Sequence, residues 1–419
     1  MTTDARFLNY TARLREFIRR NSTHDPTAKP FNLEESGPQF NALALALFAL
    51  QFEHNTVYRR FCEAQKVLPG RIAHWTELPA VPTVAFKELD LTSLPPAQRT
   101  KVFYSSGTSE QRLSRHYHNA ESLAVYEASL LHWFKAHLLP DEQKLESQTA
   151  AAEAGRLNQR QKAKDISLKG EQSIHERAAS APSPLRMIFL TPPPTCVPHS
   201  SLAHMFAAVR QEFGAADSFF AGQASGAEAW TLDLGGILSE LDAAVSANRP
   251  IVLLGTAFSF VHLLDHLAER QRWCQLPDGS RVMETGGYKG RTRSLPKADL
   301  HGLLSEHLGV PSRYIVCEYG MSELSSQAYD HVAGAELTTP SAARIFTFPP
   351  WARVQVIAPE TGRAAVEGET GLIRVYDLAN VHSVLAVQTE DLGVRRGGGF
   401  ELIGRAASAD PRGCSLMAV

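Results

Sequence analysis

The chain has 419 residues, of which 44% are hydrophobic and 21% charged, with a formal net charge of −2. That length can bury a large core and hold two or three domains. A near-neutral balance with no basic run argues against a nucleic-acid binder, which would carry a basic stripe. The opening stretch, Met1 to Arg20, is studded with Asp4, Arg6, Arg13, Arg15, Glu16, Arg19 and Arg20, so it lacks the apolar core of a signal peptide. The most apolar run, Ala42 to Leu50, is too short to cross a bilayer. Cys62, Cys196, Cys274, Cys317 and Cys414 are scattered and never form a CxxC pair. This pattern predicts a reduced, cytoplasmic protein without a disulfide framework or zinc knuckle.

In chain order, Leu43, Leu47 and Leu50 predict a core-facing helix over Phe40–Phe52, and a second helix follows over Thr56–Ala64. A connection punctuated by Pro79, Pro82, Pro95 and Pro96 leads to a short strand, Val102-Phe103-Tyr104. After a Ser/Gly loop, Ala120–His137 reads as an amphipathic helix. Residues 141–184 are rich in Gln, Glu, Lys, Ala and Ser and hold no aromatic residue. Such a stretch buries too little apolar surface to offset its ordering entropy, and is expected to be a disordered insertion. Met187–Leu190, Ile251–Thr256, Arg281–Glu284 and Tyr314–Cys317 are predicted strands, with helices through Phe260–Leu267 and Leu300–Leu308. Alternating strands and helices imply a mostly parallel sheet covered on both faces. From Ala352 onward, Val354–Ile357, Leu372–Tyr376 and Val384–Val387 are strands joined by turns, a β-rich subdomain. The expected units are an α/β core over 1–345, a β-rich unit over 346–405 and a tail over 406–419.

Four motifs carry chemistry. Tyr104-Ser105-Ser106-Gly107-Thr108-Ser109, placed after a strand and before a helix, offers hydroxyls and backbone N–H groups that can wrap a phosphate. It lacks the spacing and lysine of the GxxxxGK[ST] loop, and alone it serves equally well as a helix cap with turn serines. Cys317-Glu318-Tyr319-Gly320-Met321-Ser322-Glu323 follows an apolar strand, so Glu323 falls at the carboxyl edge of the sheet, where ligands of such folds gather. A carboxylate beside phosphates suits magnesium, and Tyr319 offers a flat surface for a base. In Gln388-Thr389-Glu390-Asp391-Leu392-Gly393 the aspartate stands at a strand end and can accept ribose hydroxyls. In Leu402-Ile403-Gly404-Arg405 the arginine can pair with phosphate or sugar. His116 and His118, at strand-like spacing, are expected to be surface or core histidines, since no third metal ligand accompanies them.

Together and in this order the motifs resemble the adenylate-forming superfamily of acyl-CoA ligases and firefly luciferase. More closely, they are similar to the acyl-protein synthetase (LuxE) family of bacterial bioluminescence systems. Tyr58–Cys62, Pro82–Lys87, Thr285-Gly286-Gly287-Tyr288-Lys289, Pro349-Pro350-Trp351 and Arg412-Gly413-Cys414-Ser415-Leu416 share in the likeness. The resemblance implies the large-domain α/β fold of these enzymes. It implies that Ser105, Ser106, Gly107, Thr108 and Ser109 hold ATP phosphates, with Arg112 in place of the usual lysine and Glu110 where a glycine is usual. Gly286 and Gly287 would admit the adenine, Tyr319 would stack on it, Ser322 would contact the α-phosphate, and Glu323 would help hold Mg2+. Asp391 would take the ribose hydroxyls with Arg405 beside it, and Lys289 could reach the substrate.

The activity implied is attack of a carboxylate, such as a long-chain fatty acid, on ATP to give an acyl-adenylate. Fourteen residues follow Arg405 and none is lysine, so the superfamily's mobile lysine-bearing C-terminal domain is expected to be absent. Cys414 is the expected acyl acceptor instead. The tail from Arg405 can extend roughly 30 Å, enough to visit the adenylate. Arg412 would favour the thiolate. An acyl reductase or acyl-transferase is the implied partner. Two other readings stand beside this one: a ligase resembling phenylacetate–coenzyme A ligase that uses coenzyme A directly, and a non-catalytic nucleotide-binding scaffold.

Overall fold

The computed structural model describes residues 3–22, 33–105, 112–141, 184–224, 230–287, 295–336 and 344–406. Ser106–Ser109, Lys289, Cys414 and nearly all of the expected insertion lie outside the described residues.

Three helices, α1 (Thr3–Asn21), α2 (Leu33–His54) and α3 (Thr56–Ala64), open the chain. The short strand β1 (Val81–Pro82) and helix α4 (Ala85–Glu88) follow, then β2 (Lys101–Tyr104), β3 (Arg115–His118) and α5 (Ala120–Leu138). The remaining α/β region runs through β4 (Arg186–Phe189), α6 (Ser201–Phe213), β5 (Phe219–Phe220), β6 (Gly222–Ala224), β7 (Trp230–Leu232) and α7 (Leu234–Ser246). It continues with β8 (Ile251–Thr256), α8 (Ala257–Glu269), β9 (Arg281–Thr285), α9 (Lys297–Leu308), β10 (Ile315–Tyr319) and β11 (Ala328–Tyr329). The chain then turns to β12 (Ala352–Ile357), β13 (Thr370–Asp377), β14 (Ala386–Arg396) and β15 (Gly399–Arg405).

The first large sheet has the order β11-β10-β9-β8-β4-β5, parallel throughout except for the antiparallel edge strand β11. Its strands read as continuous apolar runs because both faces are buried. Alternation sends Met187, Phe189, Val252, Leu254, Met283 and Val316 into one core, which α5 and α6 cover. Ile188, Leu190, Leu253, Val282 and Ile315 enter a second core under α7, α8 and α9. The second sheet has the order β1-β14-β13-β12, and β15 also pairs with β14. Only the β1–β14 pair is parallel. Val356, Ile373, Val375 and Val387 of this sheet share one apolar cluster with Phe7, Phe40 and Leu47 of the opening helices.

Two expectations need correction. The hydroxyl loop does not lead into a helix: Arg115–His118 pairs antiparallel with Lys101–Tyr104, so the loop closes a hairpin. The helix begins one residue after this strand, where Asn119 caps it by accepting from Ser122 N at 2.8 Å. Asp391 is not at a strand end but inside β14, which continues past it through a bulge and pairs with β15.

Asp330, just after β11, gathers the sheet's edge. Its carboxylate accepts from Cys317 N at 2.8 Å and pairs with His331 and Arg344 at 2.9 and 3.1 Å. Burial alone would raise its pKa, but the His331 hydrogen bond and the charges of Arg344, His331 and Lys297 hold it well below the usual carboxylate range. The stabilisation is present above the unfolded value near pH ~3.9 and is lost as pH falls toward the folded value. Asp330→Asn is expected to lower stability at pH 7 by about 3–5 kcal/mol. Urea unfolding should show the gap from wild type narrowing below about pH 4.

Candidate functional site

The hairpin's base is a serine clamp. Ser105 N donates to Ser114 O at 3.2 Å, and Ser114 N donates to Ser105 Oγ at 2.9 Å. Arg112 is exposed and ion-paired with Glu88. From this clamp Ser114 reaches across to the loop after β10, where its Oγ donates to Glu323 Oε1 at 2.8 Å. Ser322 Oγ donates to the other carboxylate oxygen at 3.1 Å. Glu323 is 1% exposed. Its backbone is held from the opposite side, where Asn380 Nδ2 donates to Glu323 O at 3.1 Å.

Tyr319, the last residue of β10, donates its OH to Asp391 Oδ2 at 2.8 Å. The Tyr319 ring packs edge-on against Phe346 and Phe400 at 6.0 and 5.2 Å between centroids. Arg405 lies directly opposite Asp391 in the β14–β15 ladder and pairs with its Oδ1 at 3.3 Å. Gly286 and Gly287 leave the end of β9, next to β10. A Cβ on Gly286 would meet no atom within 4 Å, and Gly287 has φ +109°, a backbone that side-chain-bearing residues rarely adopt. Ser105, Ser114, Glu323 and Ser322 are thus linked by direct hydrogen bonds, as are Tyr319, Asp391 and Arg405. Only Gly320 and Met321 separate the two groups along the chain.

Several neighbours were given no role at the site by the sequence, although His116 and His118 were read as surface or core histidines and are core. Glu318 is buried, and burial pushes its carboxyl up to about 7, against a Thr285 hydrogen bond and with added repulsion from Glu284. Asp377 accepts from Ser325 N and Ser326 Oγ at 2.8 and 2.7 Å, anchoring the far side of the Glu323 loop. His116 is buried, and its Nδ1 lies 2.8 Å from Ser322 O. His118 is buried behind it, with both ring nitrogens unpartnered among the described residues. The signal for this pair was present as alternation: Ser114, His116 and His118 are buried while Arg115 and Tyr117 are half-exposed.

Burial drives the thiols of Cys62, Cys274 and Cys317 upward, Cys62 to about 12, so none of them is an activated nucleophile. Among the described residues no group of three His, Cys, Asp or Glu side chains gathers to hold a metal ion. Glu323 fits a different arrangement, in which one carboxylate and substrate phosphates share a magnesium ion. Ser114, which bonds to both Ser105 and Glu323, sets this carboxylate beside the base of the hydroxyl loop.

The family description "Acyl-protein synthetase, LuxE" matches residues 182–418. The chain belongs to the LuxE acyl-protein synthetase family. The matched span holds Glu323, Asp391 and Arg405 and begins beyond the hydroxyl loop, so the hairpin joins the site through the fold. Among solved structures, 2-hydroxyisobutyryl-CoA ligase in complex with 2-HIB-AMP is similar at 12% identity and TM-score 0.55, over 88% of this chain and 70% of that one. An open conformation of the same ligase, holding 2-HIB-AMP and CoA, gives 13% identity and TM-score 0.55, over 88% and 78%. These likenesses show the fold of adenylate-forming ligases. ATP-bound MatB from Rhodopseudomonas palustris is 17% identical at TM-score 0.44; 73% of this chain matches, spanning only 47% of MatB's length. No curated protein matches the chain. No helix among the described residues is long and apolar enough to cross a membrane.

Burial pushes His118 well below the usual histidine range and His116 to about 4. A base with a depressed folded pKa contributes stability above its unfolded value near pH ~6.5, which is lost as pH falls below it. His118 lies among the Phe103 and Tyr126 rings at 5.1 and 5.9 Å, so phenylalanine suits its surroundings. His118→Phe is expected to be more stable than wild type at pH 5, with a smaller difference at pH 8, as read from urea midpoints.

Proposed function

We propose that this LuxE family member activates a carboxylic acid by adenylation with ATP and carries the acyl group onward as a thioester on Cys414. The observation that carries the reading is the hydrogen-bonded convergence of the hydroxyl-loop base, Glu323, Tyr319 and Asp391. In this reading residues 346–405 complete, from one side, a nucleotide site built on the core of residues 1–345, and 406–419 form the acyl-carrying arm.

The nucleotide's phosphates lie along the loop that Ser105 begins, with Ser106, Gly107, Thr108 and Ser109 donating hydroxyl and backbone hydrogens and Arg112 adding charge. Tyr319 and the Gly286-Gly287 turn flank the base, and Asp391 accepts from the ribose hydroxyls while Arg405 holds its other oxygen. Glu323, with Ser322 beside it, would hold Mg2+, which supplies charge neutralisation on the phosphates when bound. The substrate carboxylate oxygen attacks the α-phosphorus, and the bond from that phosphorus to the α,β-bridging oxygen breaks to release pyrophosphate. The nucleophile is already an anion, so positioning and charge stabilisation supply most of the acceleration and no general base is needed. The Cys414 thiolate then attacks the acyl carbon and AMP departs. The family points to a fatty acid as substrate, an acyl reductase as acceptor and the cytoplasm as location.

Acid-dependent exchange of labelled pyrophosphate into ATP, run across fatty, aromatic and short polar acids, tests the first step. Glu323→Gln and Asp391→Ala are each expected to lower exchange by about 100-fold or more. Cys414→Ala should leave exchange intact and abolish covalent labelling by the acid. Soluble acyl-CoA formed without labelled Cys414 would replace the thioester step, and no exchange with any acid would end the adenylation reading.

A further inference from the structure

Glu323 is aimed by groups that no motif contains, and one of them is a histidine with a strict donor requirement. A carbonyl oxygen only accepts, so the 2.8 Å contact between His116 Nδ1 and Ser322 O requires the proton on Nδ1. Ser114 and His116 lie two residues apart on one face of the hairpin, which sends both side chains to the same neighbour. Ser114 takes the Glu323 carboxylate at 2.8 Å, and His116 takes the carbonyl of the residue before it. On the other side Asn380 takes Glu323 O at 3.1 Å. The two peptides that flank Glu323 are therefore each fixed at the carbonyl, and the side chain is held at both oxygens.

The imidazole cannot swing away. His116 is 2% exposed and its ring lies 4.3 Å from the His118 ring, centroid to centroid. An aliphatic residue would fill such a buried strand position without the desolvation cost of an imidazole. The hydrogen bond to the Glu323 loop is what offsets that cost.

We propose that His116 is a positioning residue, whose Nδ1–H locks the Ser322 carbonyl and so sets the Glu323 carboxylate for magnesium–nucleotide binding. The proposal rests on the adenylation reading for its chemistry, but nucleotide binding tests it separately. Asparagine offers an N–H close to the reach of Nδ1, leucine fills the space without a donor, and glutamine carries its amide too far. His116→Leu is expected to weaken MgATP binding by about tenfold and to slow exchange by about 10–100-fold, with the KM for the acid within about twofold of wild type. His116→Asn should recover most of both losses and His116→Gln should not. In a Glu323→Gln background, His116→Leu should have no further effect on MgATP affinity, because both changes act through one group. Calorimetric binding of MgATP and of ATP in chelator, exchange kinetics and thermal midpoints supply the readouts.

Equal losses in the leucine and asparagine variants, wild-type affinity in the leucine variant, or additive effects with Glu323→Gln would overturn the proposal. Where His116→Leu does not fold, the asparagine–glutamine contrast decides alone. If wild type binds MgATP with the expected variant pattern but exchanges with no acid, the adenylation reading fails and the positioning role stands. A wild type that binds no MgATP overturns both.

Discussion

The burial of one carboxylate organises this molecule. Glu323 is almost wholly removed from water, where an unpaired charge would be prohibitively costly. Its donors come from places far apart in the chain: Ser114 from the β2–β3 hairpin, Ser322 from its own loop and, on its backbone, Asn380 from the β13–β14 connection. The same loop is pinned further along by Asp377, and Ser326 Oγ joins Ser129 Oγ of α5 at 3.0 Å, to which Trp351 Nε1 also donates at 2.7 Å. Satisfying these polar groups forces the hairpin, the parallel sheet and the second sheet into one arrangement. The nucleotide-facing residues inherit their positions from it.

The connection between β13 and β14 plays the matching role on the N-terminal side. Gln51 of α2 donates to Asn380 O at 2.7 Å and accepts from Leu385 N at 2.9 Å, and Asn55 Nδ2 lies 3.4 Å from Ser383 O. A buried loop carries backbone groups that must find partners inside the protein, and two amide side chains supply them here. This places opening-helix residues within one polar link of Glu323, through Asn380.

What could be read from the sequence followed physical signal strength. Ile251–Thr256 is an unbroken apolar run and Thr56–Ala64 a segment bounded by turn residues, and the structure places a strand and a helix at those same residues. The ordered series of short motifs pointed to the family and to the fold. Strand β3 showed only as the strand-like spacing of His116 and His118, because Arg115-His116-Tyr117-His118 has no aliphatic residue, and its pairing with Lys101–Tyr104 makes it a strand. The continuation of β14 through Gln388–Asp391 was hidden because Gln388-Thr389-Glu390-Asp391 has no apolar residue, Gln388 and Thr389 bonding to β13 and Asp391 to Tyr319. Ser114 and His116 meet the Glu323 loop across 209 and 206 residues of chain, a separation no local pattern encodes. Asp377 and Asn380 carry no signal in the sequence, and their meaning lies in the loop they hold.

Besides β13, strand β14 pairs with two further strands at different points along its length. Its first residues, Val387 and Gln388, pair with Val81 and Pro82, and its later ones, from Asp391 to Arg396, pair with the segment ending at Arg405. On a ribosome the first piece, Val81–Pro82, emerges far ahead of the other two, which follow each other closely. The sheet that carries Asp391 therefore closes only after the whole α/β region has emerged, and the early strand must wait with its ladder groups unmatched. Until β14 arrives, Val81 and Pro82 have no sheet to join.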